Sequence, residues 1–190
     1  MSDLEVLSWQ QYTKESSEFL KISESLQDTW TWEVKVMKGY GISLFIRFKL
    51  QGSSEGQAFL KYTQKIRDPS SNDLLHLEYH VVYSVTYQIP VLYLQAHHDD
   101  GKLISLEKAW EIFQIARDDE KQFTRQRMLN ILTQMEHPVL FKPCLCLHPC
   151  RTAELLSQTK SLNRIITFIS LMGPYVQLKL PSAYCLKIEK

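Results

Sequence analysis

The chain has 190 residues, with 22 Lys plus Arg against 21 Asp plus Glu and a formal net charge of +1. A domain of that size buries roughly 70% of the surface its extended chain exposes, so the core needs no disulfide or metal staple. The near-neutral balance gives no electrostatic case for nucleic acid or an anionic membrane, and there is no apolar run of about eighteen residues to insert stably into a bilayer. Met1-Ser2-Asp3-Leu4-Glu5 lacks the basic-then-apolar order of a signal peptide. A cytoplasmic protein with reduced thiols is therefore expected.

Residues 4–27 read as an amphipathic helix, with Trp9, Tyr12, Phe19, Leu20 and Ile22 on one side. The other side mixes both charge signs, which suits a helix packed on its own domain better than a membrane helix. Trp32–Met37 and Ile42–Leu50 alternate apolar and polar residues around Gly39-Tyr40-Gly41, a β-hairpin pattern. Residues 51–73 are polar and rich in Ser and Gly, and read as a loop with one short edge strand at Ala58–Tyr62. In Leu75–Gln95, His80, Val82, Ser84 and Thr86 point one way, and Tyr79, Val81, Tyr83, Val85 and Tyr87 the other. Pro90 cannot donate to a ladder, so two strands are expected, the second at Val91–Ala96. Asp99-Asp100-Gly101 reads as a turn.

Ser105 reads as an N-cap for a helix bearing Leu106, Ala109, Trp110, Phe113 and Ala116. A second helical stretch at about 119–133 has Met128, Ile131, Leu132 and Met135 as its buried stripe, and Pro138 ends it. Val139–Leu147 reads as extended, and Thr152–Thr159 and Leu162–Met172 as helices. Leu162, Ile165, Ile166, Ile169 and Met172 share a face, and Gly173-Pro174 is expected to stop that helix before a short extended tail. Helix, strands, then helices without βαβ alternation imply an α+β domain with a mainly antiparallel sheet. One domain over residues 1–190 is expected.

The string Cys144-Leu145-Cys146-Leu147-His148-Pro149-Cys150 carries the chemistry. Three readings compete. A metal site is disfavoured, because residues two apart on a strand stand roughly 6–7 Å from each other, too far for zinc with bonds of about 2.3 Å to sulfur. Buried small hydrophobes suit Cys144, Cys146 and, in a weaker context, Cys185. Cys150 differs, because Pro149 ends the strand and a helix-forming run follows. A thiol there meets unpaired N–H groups and the positive end of the dipole, beside Arg151, and both favour the thiolate. His148 either orients the site or is a satisfied loop histidine. A cysteine protease needs a histidine base, and His76, His80, His97, His98 and His137 exist, but no local protease signature surrounds Cys150. A thioester carrier needs only an accessible thiolate and oxyanion donors. A non-catalytic binding module with a buried Cys150 stays open.

His148-Pro149-Cys150, followed by a Thr-x-Glu-Leu-Leu helix, resembles the active-site segment of the autophagy E2-like conjugating enzymes. Trp30-Thr31-Trp32, Glu78 to Ser84, Tyr87 to Tyr93, Asp100-Gly101-Lys102, Glu136-His137-Pro138 and Ile169 to Val176 extend the resemblance over about residues 28–185. It implies a UBC-like (E2-like) fold, with a catalytic segment at about 136–160 and Cys150 as the thioester nucleophile. Two branches share His-Pro-Cys. The tail, with Gly173-Pro174 and Leu180-Pro181, resembles the branch that receives Autophagy-related protein 12 from the E1-like Autophagy-related protein 7 and transfers it to a lysine of Autophagy-related protein 5. The other branch, that of Autophagy-related protein 3, moves a related modifier to a lipid amine and carries a long acidic insertion that this chain lacks. No cofactor is implied, since ATP is consumed by the E1. Ubiquitin E2s place His-Pro-Asn ahead of the cysteine, whereas here Val139 follows His137-Pro138. Oxyanion support then falls to a backbone N–H near Cys150, to His148, or to a strand tyrosine such as Tyr79.

Overall fold

Ser8 decides where the first helix begins. In the computed structural model, which describes residues 6–38, 42–47, 56–115, 132–149, 156 and 161–187, helix α1 runs Trp9–Ser25. The Ser8 hydroxyl accepts the backbone N–H of Gln11, and the Gln11 side chain accepts the backbone N–H of Ser8. This reciprocal pair satisfies two donors that a helix start leaves open. The helix is therefore shorter than its periodicity implies. Tyr12, Glu15, Ser16, Phe19 and Ser23 form its buried side.

Among the described residues, seven strands make one antiparallel sheet: β1 Thr31–Lys38, β2 Ile42–Arg47, β3 Ala58–Arg67, β4 Leu74–Ser84, β5 Ile89–His98, β6 Leu132–Glu136 and β7 Pro143–Leu147. Their order is β2-β1-β3-β4-β5-β7-β6. The helices are α2 Leu106–Ile115, α3 Arg164–Met172 and the short α4 Ala183–Leu186. The α+β class and the antiparallel sheet are those expected, and the hydroxyl of Ser105 caps α2 by accepting the N–H of Lys108. No helix among the described residues is long and apolar enough to cross a membrane.

Several elements differ from their sequence reading. Strand β3 is no short edge strand: it spans ten residues and lies between β1 and β4. Its outer half alternates half-buried and exposed positions, so Lys65 and Arg67 belong to a strand rather than a loop. Leu132 and Met135, read as the end of a helical stripe, stand on β6, while Met128 and Ile131 lie outside the described residues. Val139 and Leu140 belong to a turn before β7. Helix α3 starts at Arg164 because Asn163 caps it, its side-chain oxygen accepting the N–H groups of Ile165 and Ile166, so Leu162 is left exposed. The α-helix ends at Met172 with Gly173 at its C-cap, as expected, but the chain goes on into a 3-10 segment, Gly173–Val176, before any extended tail. A Cβ at Gly173 would stand 2.4 Å from the Leu178 carbonyl oxygen, so only glycine fits this approach.

The strand period of two sorts the sheet into two faces. Tyr79, Val81, Tyr83, Leu92, Leu94, Leu145 and Leu147 share one core with the buried sides of α1, α2 and α3. On the opposite face, Phe59, Val82, Val91, Tyr93, Val139, Cys144 and Cys146 form a smaller cluster. Cys144 and Cys146 are the buried strand cysteines expected from their spacing. Cys185 is not buried: α4 turns it to the surface while burying Tyr184.

Candidate active site

Strand β7 leads into the reactive segment. It sits between β5, with Tyr93 opposite Cys146, and β6, with Met135 opposite Cys144. Burial pushes the Cys144 thiol up and carries Cys146 up to about 12, so both are neutral thiols near pH 7. Past the end of β7, His148 is half-buried and Pro149 is buried. Cys150 and Arg151 lie outside the described residues, as does the Thr152–Thr159 stretch apart from Leu156, which is helical and buried. Among the described residues, no three His, Cys, Asp or Glu side chains converge to hold a metal ion.

Pro149 lines a cavity of about 270 Å³ with Val82, Val91, Tyr93, Met135 and Pro138, closed at one end by the turn between β4 and β5. Val85 and Tyr87 on that turn, and Met135 on β6, keep exposed apolar surface here. The cavity therefore opens where the chain enters the reactive segment, on the sheet face of the smaller cluster.

A polar chain that sequence reasoning did not assemble runs from the half-buried Lys61 and Glu78 to the buried His80 and His137. Lys61 pairs with Glu78 Oε2 at 2.6 Å, Glu78 Oε1 lies 2.9 Å from His80 Nε2, and His80 Nδ1 lies 3.2 Å from His137 Nε2. At the far end, His137 Nδ1 accepts the N–H groups of Val139 at 3.2 Å and Leu140 at 3.1 Å. Phe59 and Tyr93 wall the two rings. Glu78 and His80 are two apart on one strand, a spacing that puts both on one face. His137 is 57 residues further on, and no local pattern links it to them.

Both imidazoles are held below their ordinary value. Burial is the main cause at His137, helped by the charges of His80 and Lys142 and opposed by Glu78, and it brings the ring down to about 3. Burial also leads at His80, opposed by its bond to Glu78 and helped by Lys61 and Lys142. The unfolded chain thus binds protons that the folded chain refuses as pH falls from 6.5 toward 3. The stability owed to a neutral His137 is complete above that window and lost as pH falls through it, by about 1.4 kcal/mol per pH unit for one proton. Urea melts near pH 7 and near pH 5 should show that loss, with a shallower dependence in His137→Phe. Equal stability at both pH values would contradict it.

Tyr79 faces the other way. Its hydroxyl donates to the Val176 carbonyl at 2.8 Å and accepts the Gln64 amide at 2.7 Å, inside the helix-covered core. The first bond anchors the 3-10 segment to the sheet, and the second ties β4 to β3. Tyr79→Phe is expected to cost about 1–3 kcal/mol in a urea melt. Unchanged stability in Tyr79→Phe would contradict this anchoring role.

Residues 11–183 match the family described as autophagocytosis associated protein, active-site domain. The chain belongs to that family. Three similar proteins are each named ubiquitin-like-conjugating enzyme ATG10. The Homo sapiens protein is 29% identical, over 97% of this chain and 94% of its own length. The Dictyostelium discoideum protein is 30% identical over 57% of this chain and 53% of its own length. The Arabidopsis thaliana protein is 29% identical over 58% of this chain and 52% of its own length. This family membership and the names of these relatives make the chain an E2-like transferase.

Proposed function

We propose that Cys150 accepts the C-terminal acyl group of a ubiquitin-like protein as a thioester and passes it to a lysine of a target protein. The observation that carries this reading is the family match along residues 11–183, with relatives named as ubiquitin-like-conjugating enzymes. The other cysteines support it by their unsuitability. Cys144 and Cys146 are buried with raised pKa, and Cys185 sits on α4 rather than on the reactive segment. Cys150 follows by one peptide bond a proline that lines an open cavity.

Two exchanges make up the reaction. The Cys150 thiolate attacks the modifier's C-terminal carbonyl on the E1-like enzyme. A new C–S bond forms, the old one breaks, and the E1 cysteine leaves as a thiolate. A neutral lysine nitrogen then attacks the Cys150 thioester, the C–N bond forms, the sulfur leaves, and the nitrogen loses a proton. Lysine is mostly protonated at pH 7, with an ordinary pKa of about 10.4, so the complex must desolvate it or offer a base. The N–H groups of Val139 and Leu140 are occupied by His137, and the Tyr79 hydroxyl by Val176 and Gln64. We assign oxyanion support to a backbone N–H near Cys150, with His148 as the second candidate for its place just before Pro149-Cys150.

The modifier we assign is Autophagy-related protein 12, delivered by the E1-like Autophagy-related protein 7 and transferred to Autophagy-related protein 5 in the cytoplasm, in autophagosome formation. No cofactor is needed, since the E1 spends ATP to make the acyl bond. The test loads the chain with each candidate modifier and offers Autophagy-related protein 5 or aminophospholipid vesicles. A lysine conjugate of Autophagy-related protein 12 is expected, and transfer to lipid alone would overturn the assignment.

A further inference from the structure

We propose that Glu78 and His80 are positioning residues for acyl transfer. They hold His137 in the one tautomer whose bare Nδ1 can tie down the turn at 137–142. The link to acyl transfer rests on the function proposed above, while the tautomer chain stands on geometry.

Backbone N–H groups can only donate, and two of them point at His137 Nδ1. That nitrogen must be bare, so Nε2 carries the proton and donates to His80 Nδ1. His80 Nδ1 is then bare in turn, and its Nε2–H donates to Glu78. An ionised carboxylate can only accept, and Lys61 keeps Glu78 in that form. Donation thus runs one way, from the turn to Glu78. In the reverse tautomers an Nδ1–H of His137 would face two other N–H groups inside a buried site.

The turn needs such a hold. Phe141 sits at a φ of 55°, uncommon for a bulky residue, with its ring largely in solvent. Lys35 lies 3.7 Å above that ring, His137 N donates to the Lys142 carbonyl, and Lys142 Nζ reaches Gln95. The turn carries Pro138, which lines the same cavity as Pro149. A shift of about 1 Å in parts that place reacting groups can cost on the order of a hundredfold in rate.

Two measurements test this on the full chain. Ring nitrogen NMR of the unloaded protein near pH 7 should show Nε2–H at both His80 and His137. Discharge of the thioester is then followed on the loaded fraction alone, over a range of amine concentrations up to saturation. Glu78→Gln, whose amide can donate as well as accept, should let the tautomers scramble and slow discharge tenfold or more with the acceptor's KM unchanged. His80→Phe should be as slow, while His80→Asn, whose Oδ1 can still accept from His137, should recover most of the rate. Nδ1–H at His137 in the parent protein would overturn the proposal. So would normal discharge by a Glu78→Gln protein whose tautomers have changed, or equal loss in His80→Asn and His80→Phe. A parent protein that never loads would sink the thioester reading and the positioning role with it, and the ring spectra, read without loading, would still decide the tautomers.

Discussion

Glu15→Ala is expected to lower folding stability by about 3 kcal/mol, a drop in melting temperature of roughly 6–12 °C for a chain of this length. Glu15 is a buried carboxylate on α1 that joins two helices. Its Oε2 accepts the Arg164 backbone N–H at 2.7 Å, and its Oε1 accepts Arg164 Nε at 3.0 Å and Nη2 at 2.7 Å. Asn163 adds a second tie from the same corner, donating to the Glu15 carbonyl at 2.9 Å while its oxygen caps α3. Alanine leaves the Arg164 fork and an N–H of the first turn of α3 without their partner. The mixed charge that marked α1 as a helix packed on its own domain therefore has a definite use at one position. Thermal and urea melts check this, and a loss below about 1 kcal/mol would mean that the pair is solvated and weak.

Cys150→Ala is expected to abolish conjugation, by on the order of a thousandfold or more, because no other cysteine can replace it. The Cys146 thiol is raised to about 12 by burial and packed beside Tyr93, so almost none of it is thiolate at neutral pH. Cys144 is buried on the same face and also raised. Cys185 is accessible, but its helix packs against the α1 side of the molecule, where Tyr184 stacks on Phe19. Cys144→Ala and Cys185→Ser are therefore expected to keep their turnover, with Cys144→Ala losing about 1 kcal/mol of stability. Turnover lost in Cys185→Ser and kept in Cys150→Ala would move the reactive thiol to the tail.

The β4–β5 hairpin was readable because an alternating stretch is followed by a long β-forming apolar run. The turn falls at residues 85–88, however, so Val85 and Tyr87 leave the strand and Pro90 stands inside β5 opposite Tyr83. Tyr79, Val81 and Tyr83 enter one core, while Val82 enters the other. The Asp99-Asp100-Gly101 turn and the Ser105 cap were readable from local chemistry alone, and both close by hydrogen bonds within a few residues. Strand β3 was not, because Lys61, Lys65 and Arg67 look like loop composition until β4 is laid beside them. Strand β6 has five residues, too few to tell a period of two from one of 3.6, so Leu132 and Met135 fitted a helix equally well. At the site, the cysteine string pointed to Cys150 because proline, thiol and helix start are adjacent. The Glu78–His80–His137 chain was hidden because its members meet only after the sheet folds. The partners of the Tyr79 hydroxyl were hidden for the same reason: Gln64 and Val176 come from β3 and the distant 3-10 segment.

The most direct test of the central claim is a non-reducing gel of the protein with its E1-like enzyme, ATP and the modifier. An adduct that thiol reductant cleaves in the parent protein, becomes thiol-resistant in Cys150→Ser and vanishes in Cys150→Ala is the predicted result. No adduct with an E1 of proven activity, or a thiol-sensitive adduct that survives Cys150→Ala, would contradict the thioester on Cys150.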